Sequence, residues 1–226
     1  MSNTRKTSAS AQPSDVVEAQ KAREALRSAS HAGPEPSAAA HQLACRSLAE
    51  RLHRYRNGRR VIVLGVPPAG VALAAELARQ LEVTGDTLVV RGLSVPSRPG
   101  RVLGAVTSGG ALHIDEAQVQ ALDLGAGVLE PIIASETEQL RKDEHRHRGP
   151  RPPLAVEGAT VILVDEGISS GATMQAAVYA LRSLRPASVV IAVCTAPAGL
   201  ARRYDELADE FICLHETRKA DATVAG

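Results

Sequence analysis

Short, unbroken apolar runs alternate along this chain with stretches of helical spacing, and that alternation sets its architecture. After residue 37, Leu48, Leu52 and Tyr55 recur as one face of a helix, with Gly58 placed to end it. The pattern then predicts a strand over residues 61–66, a helix over 71–81 and a strand over 87–93. A less regular section follows, with helical spacing at 116–122 and 132–146. Beyond it come a strand at 160–164, a helix at 172–185, a strand at 188–195, a helix at 198–207 and a strand at 210–214. These strands are continuously apolar, as a parallel sheet covered on both sides requires. The expected fold class is therefore α/β, a mostly parallel twisted sheet with helices on both faces and ligands bound at the carboxyl ends of its strands.

Residues 1–36 break this pattern. Ser, Ala, Gln and charged residues dominate them, with turn signals at Pro34 and Pro36, and they read as a disordered tail in which residues 16–26 form a transient helix at most. Residues 37–218 read as one domain and 219–226 as a flexible end. At 226 residues and 44% hydrophobic content there is material for one substantial core. A formal charge of +1 provides no global field for nucleic acid, so no such partner is expected. Cys45, Cys194 and Cys213 are far apart and form no CxxC pair, which fits a reducing interior. With no apolar signal core and no run long enough to cross a bilayer, the expected location is cytoplasmic, without membrane association.

One segment concentrates the chemistry. The apolar run Val161, Ile162, Leu163 and Val164 leads into two carboxylates, Asp165 and Glu166. Gly167, Ile168, Ser169, Ser170, Gly171, Ala172 and Thr173 follow, and then a helix-forming stretch. Small residues let backbone N–H groups approach an anion closely, hydroxyls add hydrogen bonds, and the helix offers its positive end. A phosphate suits that cup. The adjacent acids would repel it, so they should address neutral hydroxyls or a divalent cation brought by the ligand. A sugar phosphate carries both features. The same acids could simply end a strand and cap the next helix, but a cap needs one acid, and this stretch has two acids and three hydroxyls.

These residues resemble the signature of the type I phosphoribosyltransferases, whose apolar strand, acidic pair and Ser/Thr/Gly loop hold 5-phosphoribosyl 1-diphosphate (PRPP). The resemblance covers roughly residues 44–215 and includes 61–70, 89–96, 104–110 and 151–173, in the order seen in a bacterial family of phosphoribosyltransferase-domain proteins. It implies transfer of a phosphoribosyl group to an acceptor with release of diphosphate. Asp165 and Glu166 would hold the ribose hydroxyls, residues 167–173 the 5-phosphate, and Mg²⁺ would be held mainly through PRPP, with no direct protein ligand required and Asp165 and Glu166 as the candidates for one. It also implies a homodimer, with residues 97–147 as a pairing surface.

The resemblance carries departures. Val66, Pro67, Pro68, Ala69 and Gly70 occupy the place of the pyrophosphate loop. Gly65 to Gly70 has the spacing of an ATPase P-loop, but Val71 and Ala72 replace its Lys and Ser or Thr, which excludes that reading. The usual Arg of the pyrophosphate loop is Pro68 and the following Gly is Ala69. Loss of the Arg removes a contact worth about 1.5–3 kcal/mol when desolvated, and Pro68 removes an N–H. The usual Arg-Lys pair before Leu93 is Arg91-Gly92, which makes Arg91 the remaining catalytic candidate for neutralising the departing diphosphate. Arg148 and Arg151 are further basic candidates from a His-Arg stretch that also reads as a charged helix end. Ser108-Gly109-Gly110 reads as a turn. With Tyr55, Tyr179, Tyr204 and Phe211 as the only aromatics besides histidine, a stacked purine is poorly supported. These losses keep a second reading open, a non-catalytic sensor of PRPP or a nucleotide. A third reading is an interaction module acting through the N-terminal tail.

Overall fold

The computed structural model describes residues 38–95, 102–152, 154–168 and 171–217. The tail expected over 1–36, the flexible end at 219–226, and Ser169 and Ser170 of the phosphate cup lie outside these.

Five parallel strands form the main sheet in the order β2-β1-β6-β7-β8: β1 (Val61–Gly65), β2 (Thr84–Thr87), β6 (Thr160–Gly167), β7 (Ser188–Pro197) and β8 (Glu210–Thr217). Alternate side chains of its strands point to opposite sides, and both sides are buried. On one, Val63, Ile162, Val164, Val190 and Ala192 pack against α1 (Ala38–Arg51), the turn at Leu52 that follows it, and α2 (Gly70–Leu81), which contribute Cys45, Leu48, Leu52, Leu73 and Leu77. On the other, Leu64, Val161, Leu163, Val189, Ile191 and Val193 meet Met174, Ala177, Val178 and Leu181 of α5 (Ala172–Ser183). The expected doubly covered parallel sheet is thus present, and the apolar runs of its inner strands β1, β6 and β7 follow from having no solvent face.

A second, antiparallel sheet of β3 (Val90–Ser94), β4 (Val102–Thr107) and β5 (Ala111–Ile114) departs from expectation. The run at 87–93 is not one strand. β2 ends at Thr87, Leu88 bonds back to the Gly65 carbonyl and joins the main core, and Val89 turns its side chain into a separate core. Ser108, Gly109 and Gly110 form the turn between β4 and β5, with Gly109 and Gly110 at φ +87° and +77°, as a tight reversal requires. α3 (Glu116–Ala121) is capped by the Asp115 carboxylate, which accepts from the Gln118 N–H. α4 (Ala126–His147) begins earlier than expected and runs through Pro131. It packs on β3 and β4, and α5 touches both sheets.

Two further expectations are corrected. The helix at 198–207 is a short 3₁₀ turn, Ala201–Arg203, because β7 continues to Pro197, the Ala198 N–H bonds to the Thr217 carbonyl and Gly199 takes φ +79°. After α1 it is Asn57, at φ +56°, and not Gly58 that takes the left-handed position.

Gly70 fixes where the first loop lies. A Cβ there would sit 2.4 Å from the Val164 carbonyl oxygen and 3.2 Å from Asp165 Cα. Gly70→Ala should therefore cost about 1–3 kcal/mol through backbone overpacking, lowering the urea midpoint. Gly127→Ala, in α4 with nothing within 4 Å, should instead stabilise by about 0.5–1 kcal/mol. Equal effects of the two substitutions would refute the close approach.

Candidate active site

The carboxyl ends of β1 and β6 bring together two loops that are a hundred residues apart in sequence. Val66 donates its N–H to the Val164 carbonyl (3.0 Å), and the missing side chain of Gly70 lets the start of α2 rest on Val164 and Asp165. Val66, Pro67, Pro68, Ala69 and Gly70 thus adjoin the acidic pair, as a site handling the two ends of one ligand requires. As an anion cradle this loop is poor in donors. The N–H of Val66 is spent on Val164, that of Gly70 on Val66 (2.9 Å), and Pro67 and Pro68, joined by a cis peptide, have none. Among the described residues, Ala69 keeps the one loop N–H without an acceptor.

Asp165 and Glu166 follow each other at the end of β6 and so face opposite sides of the sheet. Asp165 lies on the α5 side, half-buried, with Oδ1 accepting the N–H of Glu166 at 2.8 Å. Burial pushes its pKa up to about 6, against the pull of hydrogen bonds from the Glu166 and Gly167 amides. Glu166 turns toward α1, where its Oε1 is 3.5 Å from His41 Nδ1. The two acids therefore bracket the strand end from both sides instead of crowding one position.

The phosphate cup divides into anchors and open positions. Gly167 pairs with Thr195 of β7, and a Cβ on it would meet the Thr195 hydroxyl at 2.6 Å. Ile168 donates its N–H to the Thr195 carbonyl (3.0 Å) and buries its side chain, so it anchors the loop and has no donor left for an anion. Gly171 stands at φ +78° as the N-cap of α5, and its carbonyl accepts from the buried Tyr204 hydroxyl (2.9 Å) and the Gln175 N–H (2.8 Å). With no side chain at the N-cap, the first-turn N–H groups of Ala172 and Thr173 face outward at the positive end of a 12-residue helix, beside the exposed Thr173 side chain.

The basic candidates are placed differently from expectation. Arg91 is not a free cation. Its guanidinium lies 2.7 Å from Glu136 and 3.5 Å from Asp143, tying β3 to α4. Arg148 and Arg151 both clasp Asp86 at the end of β2, at 2.8 and 2.9 Å, with Arg148 almost fully buried, so they fasten the end of α4 to the main sheet. None of the four non-histidine aromatics offers a free ring face at the acids: Tyr55 bonds Glu210, Tyr179 stacks on His113, and Tyr204 stacks on Phe211. Burial raises the thiols of Cys45 and Cys194 to about 11 and about 12, which leaves both unreactive as nucleophiles.

The sequence alone does not reveal a cleft of about 1060 Å³ that opens from the pyrophosphate loop and Glu166 between the polar faces of α1 and α2. His41, Gln42 and Arg46 line it from α1, and Ala72, Glu76, Arg79 and Gln80 from α2. Gln42/Arg46 and Ala72/Glu76 are i, i+4 pairs, each on one helix face, and the sequence does not show that the two faces oppose each other.

Comparison with known proteins agrees with this geometry. The model of the phosphoribosyl transferase domain matches residues 38–225. Proteins named provisionally as phosphoribosyl transferases in two strains of Mycobacterium tuberculosis, CDC 1551 / Oshkosh and H37Rv, are each 34% identical over 169 residues. That alignment covers 75% of this chain but 38% of theirs, so the match spans well under half the length of these relatives. The crystal structure of TT1426 from Thermus thermophilus superposes with a TM-score of 0.70 at 34% identity, covering 78% of this chain and 83% of that one. A parallel sheet with the acidic pair, the glycine-bearing cup and the first-strand loop gathered at one end, together with a family match over most of its length, places this chain in the phosphoribosyl transferase domain family.

Proposed function

We propose that the protein binds PRPP with Mg²⁺ and transfers its phosphoribosyl group to an acceptor, releasing diphosphate. The observation that supports this reading is the close approach of the loop at residues 66–70 to Val164 and Asp165, where a second anion position would lie beside the acids and the start of α5. The first-turn amides of α5 and the Thr173 side chain would receive the 5-phosphate. Asp165 and Glu166 would take the ribose hydroxyls from the two sides of the strand, orienting C1 toward the acceptor. The loop end at Ala69 and the start of α2 would hold the diphosphate as charge builds on it. Arg91 would join only by exchanging Glu136 and Asp143 for the diphosphate.

Among the described residues no group of three or more His, Cys, Asp or Glu could hold a metal by itself. Because the acids face opposite sides of the strand, a hard cation here would take one of them at a time and draw its remaining oxygens from the ligand and water. Bound there, Mg²⁺ would supply charge neutralisation for the leaving group.

A second reading, a non-catalytic PRPP or nucleotide sensor, is favoured by the donor-poor loop and by the pairing of Arg91. No helix among the described residues is long and apolar enough to cross a membrane. A cytoplasmic location and a homodimer remain part of the proposal.

Three measurements bear on it. Asp165→Asn with Glu166→Gln should weaken PRPP binding in Mg²⁺ at least tenfold by isothermal titration, and unchanged affinity rejects the assignment. Diphosphate release from PRPP over a panel of bases and amines supports transfer, whereas saturable binding without release supports the sensor. The third is pH dependence. Asp165 holds its proton up to about 6 when folded against 3.8 ordinarily, so between these values the folded state binds more protons. Its contribution to stability is therefore greatest at low pH and is lost as pH rises through this window, by on the order of 3 kcal/mol. PRPP affinity should move oppositely, falling as acid neutralises the carboxylate below about pH 6. Asp165→Asn should flatten the Asp165 part of both profiles, and profiles identical to wild type would contradict the assignment.

A further inference from the structure

The deficit of positive charge at the pyrophosphate loop has a counterpart on α1. The family's usual basic position in the loop is Pro68, the second basic position is Gly92, and Arg91 is paired with Glu136 and Asp143. The cleft that begins at Pro68 and Ala69 is lined by two arginines, Arg46 and Arg79. Arg79 is committed to its own helix. Its Nε and Nη2 donate to the two oxygens of Glu76 at 2.9 and 2.6 Å, and Gln80 also donates to Glu76, which holds the Glu76 carboxyl down at about 2. His41 stands beside Glu166. Arg46 is the cleft's remaining cation. It is exposed, one helical turn beyond Gln42, and has no carboxylate within ion-pair distance among the described residues.

Resting on the PRPP reading above, we infer that Arg46 is a diphosphate-binding residue, supplying from α1 the positive charge that the loop has lost. The physical case is one of position and availability. A diphosphate held at the Ala69 N–H and the start of α2 borders the same cleft that Arg46 lines. A guanidinium there can bind phosphate oxygens in a bidentate fork without first breaking an ion pair. Its side chain lines the cleft from a helix whose opposite face is fixed in the core by Ala44, Cys45 and Leu48. The ribose and 5-phosphate lie toward Asp165 and α5, so Arg46 should discriminate between the two ends of the ligand.

The experiment measures binding of PRPP, inorganic diphosphate and ribose 5-phosphate, each with Mg²⁺, to wild type, Arg46→Gln and Arg46→Lys by isothermal titration. Arg46→Gln should weaken PRPP and diphosphate about tenfold, which corresponds to about 1.4 kcal/mol. It should leave ribose 5-phosphate within about twofold of wild type, and Arg46→Lys should recover part of the loss. Arg46 is exposed, so the thermal midpoint should hold, and a matched midpoint shows that the variant is folded. Unchanged diphosphate affinity in Arg46→Gln, or equal weakening of all three ligands, overturns the inference. Wild type that binds ribose 5-phosphate but not diphosphate also overturns it and spares the phosphate-cup reading. Wild type that binds none of the three removes both.

Discussion

The arrangement of this molecule depends on a backbone meeting a backbone where no side chain could fit. Gly70 lies so close to the Val164 carbonyl that a methyl group would overlap it, and Gly65 is under the same constraint from the Gly70 carbonyl, 2.3 Å from its missing Cβ. With both positions bare, the turn after β1 folds down on the end of β6, and the Val66 N–H closes the contact. Two segments far apart in sequence thereby become the two walls of one site. A hydrophobic core alone would not set this, since it fixes strand order and leaves the loops above the strand ends free. The glycines convert strand order into loop contact.

Around that contact, charge is distributed by sheet geometry. Consecutive residues of a strand point to opposite faces, so Asp165 and Glu166 reach different surroundings: one beside α5, desolvated and hard to ionise, the other beside His41 at the mouth of a wide cleft. Most cations nearby are already used to hold the fold. Arg148 and Arg151 converge on Asp86, and Arg91 links β3 to α4. A shell of ion pairs keeps the antiparallel sheet and α4 attached to the main sheet, and it reduces the basic groups available to a polyanionic ligand.

The main sheet was legible because β1, β6 and β7 carry continuous apolar runs, the pattern of a strand buried on both sides, and β8 carries a shorter one. The signature was legible because its acids, glycines and hydroxyls are contiguous in sequence. The edge strand β2 and the antiparallel sheet were not. Val102–Thr107 contains Gly and Ala, Thr84–Thr87 has no large apolar residue, and Leu88 and Val89 serve two different cores within one apolar run. The stretch at 198–207 carries helix-forming residues, but the bond from Ala198 to Thr217 and the left-handed Gly199 override local preference. Arg91 looked available because its partners lie 45 and 52 residues away. The same distance effect hid the cleft, since each helix showed its polar face and neither showed what it faced.

The phenol of Tyr204 ties the start of α5 to the edge strand β8. Fully buried, it donates a hydrogen bond to the carbonyl of Gly171 at the start of α5, while its ring lies flat on Phe211 of the edge strand. The cradle is thus braced from behind by the sheet's outer border. Whatever displaces that border strand pulls on the rim where a terminal phosphoryl group would sit, so the periphery of the fold has leverage over its centre.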